Sequence, residues 1–534
     1  MKTRRTLLIL SISAAVMCNA AWAGKITGPW MQAYQTPAGF SGLAMTQSQA
    51  DLPAPKKCYS NTKRLLCAQL VQTLSKDTIK KARGLANFSI NPDSGSGVYL
   101  PDGTPLVGSY GYPDPTTNVE LYRVTYRSKD ISGKATKLSG LVVIPEPRYN
   151  ELGAKDGMVV YMHSTTADIN NGSGDRSEEA YGAITAFAGN DWVLAMPDYL
   201  GYGVNKKPHP YALGKLNAQS GIDMIRAARE LAKKLNLPVA SPINITGYSE
   251  GGGNSMWLGR ALDEQFNCEG CPEPDMIPTR VAPMSGPYDM SGATAMSFVE
   301  EQPVAETENI TVKPLLLAYA GISTAQYAKP RIPANDLLQD ELVSQAKGLF
   351  PGIYSDNDVG ARMLSTAIDQ FGYLGEGEDI SFVPKPDKLL QSSLVQAITS
   401  QDYSNPAMKI WQQNNAVDWS PKVPLYMLGV IQDPLVPFAS KLFTLPKYYS
   451  EVLKAVPAPY KGGNAENVIR SMRKKGYAAS QVSWLGFNGR VKGEYFPATT
   501  MTHSSAFTPC TMLAFHFFKG ISLEQLPHLD DPAP

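Results

Sequence analysis

Ser249 sits in Gly247-Tyr248-Ser249-Glu250-Gly251, a hydroxyl side chain framed by two glycines. A serine nucleophile must stand on a tight turn between a strand and a helix, where flanking glycines relieve the crowding. In a chain of 534 residues such a pentapeptide is common by chance, so its surroundings decide. The apolar run Ile243 to Thr246 precedes it and the helical stretch Gly252 to Glu264 follows. Strand, turn and helix therefore come in the required order. The chemistry this predicts is attack of Ser249 on an acyl carbon.

A serine hydroxyl needs a base to take its proton, and the chain offers five histidines. His516 lies in Leu513-Ala-Phe-His-Phe-Phe518 and reads as a core or helix-face residue. His528, in a polar tail, and His209, in the loop Pro208-His-Pro210, read as solvated. His163 directly follows the apolar run Met158 to Met162 and is better placed to shape a loop. His503 remains, between the last expected strand and the last expected helix, and is the candidate base. Asp433 comes just past the apolar run Leu425 to Val430, where it can orient the imidazole; Asp418 precedes that run and belongs at the opposite end of the sheet. The order Ser, Asp, His is that of α/β-hydrolases and not of the other serine-hydrolase folds.

Charge developing on a substrate oxygen requires backbone donors, one from the residue after the nucleophile and one from a loop after an earlier strand. Those are Glu250 and the segment His163-Ser-Thr-Thr166, in which Thr165 is the first choice and Ser164 the second.

The elements that must position these groups follow an alternating pattern. Val119 to Arg127 and Lys137 to Ile144 read as a hairpin; Met158 to Met162, Trp192 to Met196, Ile243 to Thr246 and Arg280 to Met284 read as strands buried on both faces. Helices are expected at Ser177 to Ala188, Asn217 to Leu235 and Gly252 to Glu264, which makes a three-layer α/β domain. Between about Met290 and Trp419 the alternation gives way to helical stretches such as Pro333 to Lys347 and Val359 to Gln370; strands resume at Leu425 to Val430 and Gln481 to Leu485. The helices Ala465 to Lys475 and Phe507 to Phe518 complete the expected core, and one helix is expected near the start, around Leu65 to Arg83. The organisation implied is a signal peptide at 1–23, an N-terminal extension at 24–115, a core at 116–289 and 420–534, and a mainly helical cap at 290–419.

Formal net charge is +1 with both signs interspersed, so the basic stripe that nucleic acid requires is missing. Hydrophobic residues make up 43% of the chain, enough for a large core. Lys2, Arg4 and Arg5 precede the apolar run Leu7 to Val16, and Ala21-Trp22-Ala23 precedes Gly24; this reads as an export signal cleaved after Ala23, by the general or the twin-arginine route. The run is shorter than the roughly 20 residues of a spanning helix, so stable membrane insertion is not expected. In an exported chain Cys58 with Cys67 and Cys268 with Cys271 are plausible local disulfides, and Cys510 is the odd one left. A zinc reading of Cys268 and Cys271 lacks a second pair of ligands.

Several segments together resemble the secretory lipase family, the branch of α/β-hydrolases that includes fungal lipase A-type enzymes and exported bacterial esterases. They are Tyr161-Met-His-Ser-Thr-Thr166, Met196-Pro-Asp-Tyr-Leu-Gly-Tyr-Gly203, Gly247-Tyr-Ser-Glu-Gly-Gly252, Met284-Ser-Gly-Pro-Tyr-Asp289, Gln432-Asp-Pro-Leu-Val-Pro437 and Thr502-His-Ser-Ser505. The resemblance implies lipase or carboxylesterase activity on a small-molecule or lipid ester, no cofactor and no metal, and a cap between the serine and aspartate segments that shapes the acyl pocket. Such enzymes often carry glycine directly after the histidine of the oxyanion loop, where this chain has Ser164. Asp198 reads as structural, with Tyr199 to Gly203 in a loop near the pocket. A serine peptidase, an acyltransferase, or a noncatalytic binding protein on the same scaffold are the rival readings.

Overall fold

Each continuous apolar run splits into two faces once it is laid out as a strand. In a computed structural model of the protein, Met158, Val160 and Met162 enter one hydrophobic cluster while Val159 and Tyr161 enter another on the opposite side of the sheet. The alternation recurs at Val193 and Ala195 against Leu194 and Met196, and at Leu425 and Met427 against Tyr426 and Leu428. That period of two is why a run lacking polar residues still forms a strand: both faces are covered. The structure describes residues 62–91, 97–100, 104–146, 157–169, 178–237, 239, 242–266, 273–300, 307–374, 384–431, 433–440, 462–487, 490–491, 494–495 and 501–532.

In chain order the elements are strand β1 (Leu65–Leu74), helix α1 (Lys76–Ser89), the hairpin β2 (Val119–Lys129) and β3 (Ala135–Pro145), β4 (Met158–Met162), α2 (Glu178–Phe187) and β5 (Val193–Pro197). Then come α3 (Gly214–Lys234), β6 (Ile243–Tyr248), α4 (Glu250–Phe266) and β7 (Arg280–Met284). A helical insertion follows, with α5 (Thr307–Tyr327), α6 (Asp340–Ala346), α7 (Asp356–Phe371), α8 (Ser392–Thr399) and α9 (Pro406–Gln412). The chain returns through β8 (Leu425–Val430), α10 (Asn464–Lys474), β9 (Val482–Phe487) and α11 (Phe507–Phe518).

The nine strands form one sheet in the order β1-β2-β3-β5-β4-β6-β7-β8-β9. Pairing is antiparallel from β1 to β5 and parallel from β5 through β9. Residues of α3, α4 and α10 pack on one face, and residues of α1, α2 and α11 on the other. This is the mostly parallel, helix-flanked sheet expected of an α/β-hydrolase. The insertion has its own hydrophobic cluster, which also takes in Ala167, Tyr211 and Leu213 from loops of the sheet.

The expected helix from Leu65 to Arg83 is in fact two elements. Leu65–Leu74 is an edge strand paired with β2 through two register shifts, and the helix begins only where Ser75 caps it by accepting from Thr78 N at 3.2 Å. Cross-strand pairing with β2 overrides the local helix propensity of Leu, Gln and Ala. Cys67 is disulfide-bonded; Cys58, Cys268 and Cys271, like the signal segment, lie outside the described residues. Cys510 is a buried free thiol inside α11. Among the described residues no helix is long and apolar enough to cross a membrane.

Candidate active site

All six residues of β6 are buried, and the chain leaves it through Ser249 at φ +56°, the left-handed region that serine rarely occupies. Ser249 N donates to Met284 O at 3.0 Å, while Gly252 N and Gly253 N donate to Ser249 O at 2.8 and 3.2 Å, so α4 starts at once. The glycines are demanded by the neighbouring strand. A Cβ on Gly251 would stand 2.0 Å from Met162 O and 2.5 Å from His163 O, and one on Gly247 would stand 2.4 Å from Gly251 O. Only glycine lets this turn close over the end of β4. Ser249 itself remains partly accessible between buried neighbours.

Asp433 lies just beyond β8, with its side chain fully buried. Its Oδ1 accepts from Leu435 N and Val436 N at 3.0 and 2.9 Å, which leaves Oδ2 aimed at His503 Nδ1, 2.6 Å away. The His503 loop is fixed by reciprocal bonds between Thr502 and Ser505: Thr502 N donates to Ser505 Oγ at 2.8 Å and Ser505 N to Thr502 Oγ1 at 3.2 Å. Tyr248, the residue before Ser249, donates its hydroxyl to His503 O, and the two rings lie 5.5 Å apart. Asp433 and His503 are therefore bonded to each other and tied through Tyr248 to the end of the strand that delivers Ser249, at the carboxyl ends of parallel strands, the usual place for a site in such a sheet. Asp418 lies at the surface, paired with Arg260 at 2.6 Å.

The loop after β4 is held from two sides. Ser164 N donates to both oxygens of Glu179 at 3.0 Å and its Oγ donates to Oε2 at 2.5 Å; Tyr161 donates to Oε1 at 2.6 Å. Burial raises the Glu179 carboxyl above its ordinary range. From the insertion, Asp356 at the start of α7 accepts from Thr166 Oγ1 at 3.1 Å and from Ala167 N. The Ser164 N–H is thus committed to Glu179, whereas the N–H groups of Thr165 and Glu250 have no partner among the described residues. His163 is buried with both ring nitrogens on carbonyls, Ser164 O at 2.7 Å and Asp198 O at 3.2 Å, and stacks on Tyr199. Asp198 accepts from Ser139 Oγ at 2.5 Å within the sheet.

His209 is not solvated, as its prolines had suggested. It is 1% exposed, with Nε2 2.7 Å from Glu250 Oε1 and Nδ1 2.8 Å from Leu200 O. Gly201, at φ +100°, admits it: a Cβ there would stand 2.8 Å from the His209 Cβ. The overlooked signal was the run of tyrosines 199, 202 and 211 that encloses it. His516 packs on α11 with Nε2 on Gly111 O at 3.2 Å, and burial lowers its pKa; His528 is exposed. Glu179 and Asp356 were also missed, since each reaches the loop from a separate helix. Among the described residues no group of three or more His, Cys, Asp and Glu is placed to hold a metal ion.

Residues 181–268, which include the Ser249 turn, match the model of the secretory lipase family. No curated protein sequence matches the chain. Among solved structures, a Legionella pneumophila protein provisionally described as a hydrolase aligns at 22% identity and TM-score 0.60 over 88% of this chain and all of that one. The ligand-bound form of the rice cell wall degrading esterase LipA of Xanthomonas oryzae aligns at 21% identity and TM-score 0.59, covering 84% of this chain and 96% of that one. Candida antarctica lipase A aligns at 13% identity and TM-score 0.42 over 86% of this chain and 80% of the lipase. By architecture the chain has the α/β-hydrolase fold, and the segment carrying its serine turn is similar to the secretory lipases.

Proposed function

We propose that the protein is an exported serine esterase or lipase that hydrolyses carboxylic esters through an acyl-enzyme. The observation that carries this reading is the Asp433–His503 hydrogen bond beside the left-handed Ser249 turn. In the proposed mechanism Ser249 attacks the ester carbonyl, His503 takes its proton and returns it to the departing alkoxide, and Asp433 holds the imidazole in the tautomer that presents Nε2. Water then cleaves the acyl-enzyme with His503 again as base. The oxyanion donors we assign are the Thr165 and Glu250 N–H groups, with Ser164 anchoring the loop to Glu179.

The match of the serine segment to secretory lipases and the likeness of the fold to a bacterial esterase support an ester over an amide as substrate. The family match also supports export; within this reading we assign 1–23 as the signal peptide from its sequence pattern, 24–115 as an N-terminal extension, and the insertion at 290–419 as a cap over the acyl pocket between the core segments 116–289 and 420–534. The test is Ser249→Ala, assayed on short and long p-nitrophenyl esters beside an aminoacyl p-nitroanilide. Loss of ester turnover with an unchanged melting temperature supports the reading. Full turnover by the variant, or a wild type that cleaves only the anilide, overturns it. Labelling by a fluorophosphonate separates an enzyme from a binding protein on this scaffold, which stays unlabelled.

A further inference from the structure

Glu250 has two attachments, and both lead to the same four residues of chain. Its Oε1 faces His209 Nε2 at 2.7 Å and accepts from Ala212 N at 3.3 Å. Thr165, on the far side of the site, donates its Oγ1 to Tyr211 at 3.1 Å. We infer that the segment His209 to Ala212 positions both oxyanion donors, holding Glu250 by its carboxylate and Thr165 by its hydroxyl; this rests on the serine-esterase reading above.

The segment is built to be rigid. Ala212 sits at φ +56°, Asn217 donates to Pro210 O at 3.1 Å, and Tyr327 of α5 donates to Pro208 O just ahead of it. Tyr211 stacks face to face on Tyr319 of α5, centroids 4.3 Å apart, and Tyr319 stacks in turn on Phe350. The helical insertion therefore braces the segment that touches both donor residues, and displacement of α5 would be felt at the oxyanion site.

Charge adds a second requirement. Glu250 directly follows the nucleophile, and its Oε2 is buried with no hydrogen-bond partner among the described residues. A lone carboxylate there would oppose the negative charge that builds on the substrate oxygen. His209 removes the conflict. Its Nδ1 faces a carbonyl and so carries a proton, and the Nε2–Oε1 contact holds one more proton on whichever atom, so the pair is neutral in either arrangement. His209 and Glu250 are positioning residues: neither side chain touches the reacting atoms.

The test uses the full mature chain with His209→Gln, Glu250→Gln, the double variant and Tyr211→Phe. Each is assayed for kcat and KM on p-nitrophenyl butyrate and for inhibition by an alkyl boronic acid, whose adduct on the serine places an oxygen where the oxyanion forms. His209→Gln is expected to lower kcat about tenfold to a hundredfold and weaken the boronate by a similar factor, with KM within about threefold. The neutral double variant recovers part of that loss. Tyr211→Phe, which removes one oxygen, weakens kcat and boronate together to a smaller extent and serves if His209→Gln fails to fold. A folded His209→Gln or Tyr211→Phe with wild-type kcat and boronate affinity overturns the inference, as does a double variant no better than His209→Gln. Ser249→Ala in the same assay separates the two levels: if it stays active the esterase reading falls, and if it is inert while the other variants match wild type only the positioning inference falls.

Discussion

Asp433 Oδ2 lies 2.6 Å from His503 Nδ1 while the other carboxylate oxygen is occupied by Leu435 N and Val436 N. The two backbone donors make the carboxylate directional: one oxygen belongs to its own turn, the other to the histidine. Since Tyr248 binds the carbonyl of His503, the same histidine is also fixed against the strand that delivers Ser249.

Asp433→Asn tests that directionality. An amide oxygen can keep the bonds from Leu435 and Val436, which turns the NH2 group toward His503 Nδ1 and forces the proton onto Nε2, where it can no longer act as base. The expected result is a fall in kcat of about ten-thousandfold, the scale known for this change in other triads, with the melting temperature shifted little. Steady-state kinetics with a parallel thermal melt would check it, and a tenfold or smaller loss would count against Asp433.

Gly251→Ala asks whether the turn is as tight as its geometry implies. The new Cβ would sit 2.0 Å from Met162 O and 2.5 Å from His163 O, both backbone atoms that cannot swing aside. Overpacking of flexible side chains costs about 1–3 kcal/mol, so against backbone a loss of about 3 kcal/mol or more is expected, together with loss of activity. Urea unfolding provides the measurement. Gly84→Ala, where a Cβ meets nothing within 4 Å, is the control expected to fold normally.

Arg83 links the first helix to the core in an unusual way. Its buried guanidinium donates to Thr185 O, Pro113 O, Asn190 Oδ1, Ala188 O and Ala186 O at 2.5–3.3 Å, and none of these acceptors is a carboxylate. Three of the carbonyls belong to the end of α2 or the residue just after it, so the cation caps that helix where its dipole favours positive charge. Burial pushes the Arg83 pKa down to about 10. Arg83→Met keeps the volume and strands these carbonyls, with an expected loss of at least about 3 kcal/mol in urea unfolding. Ester turnover per folded molecule should be unchanged, because Arg83 does not reach the site.

Much of this arrangement is legible in the sequence, for a physical reason. The parallel strands are buried on both faces, so Met158–Met162, residues 281–284 and Leu425–Val430 appear as uninterrupted apolar runs ending at turn residues, and candidates placed just after them fall at one edge of the sheet. Asp433 and His503 could be paired on that basis before any distance was known. β1 could not be read in the same way: it is an edge strand with irregular burial, and only its pairing with β2 makes it extended. His209 escaped because prolines on both sides describe a loop but not which way the loop folds. Glu179 and Asp356 escaped because a carboxylate on a helix surface looks solvated until the loop it binds is in place.

Glu179 gives the pH dependence a definite sign. Burial raises its pKa above the ordinary 4.5, so the unfolded chain releases this proton at a lower pH than the folded one does. The stability that the protonated form contributes is therefore fully present below the ordinary value and declines as pH rises through the raised one. Glu179→Gln has no such proton, yet its amide oxygen can still accept from Ser164 N. The melting temperature of the variant relative to wild type should accordingly climb as pH rises from the ordinary 4.5 through the raised value, whatever the offset at the acid end. A difference that stays flat over that range, or that falls, would show that Glu179 ionises in the folded protein as readily as in the unfolded chain, and that burial is not what governs the charge beneath the Ser164–Thr165 loop.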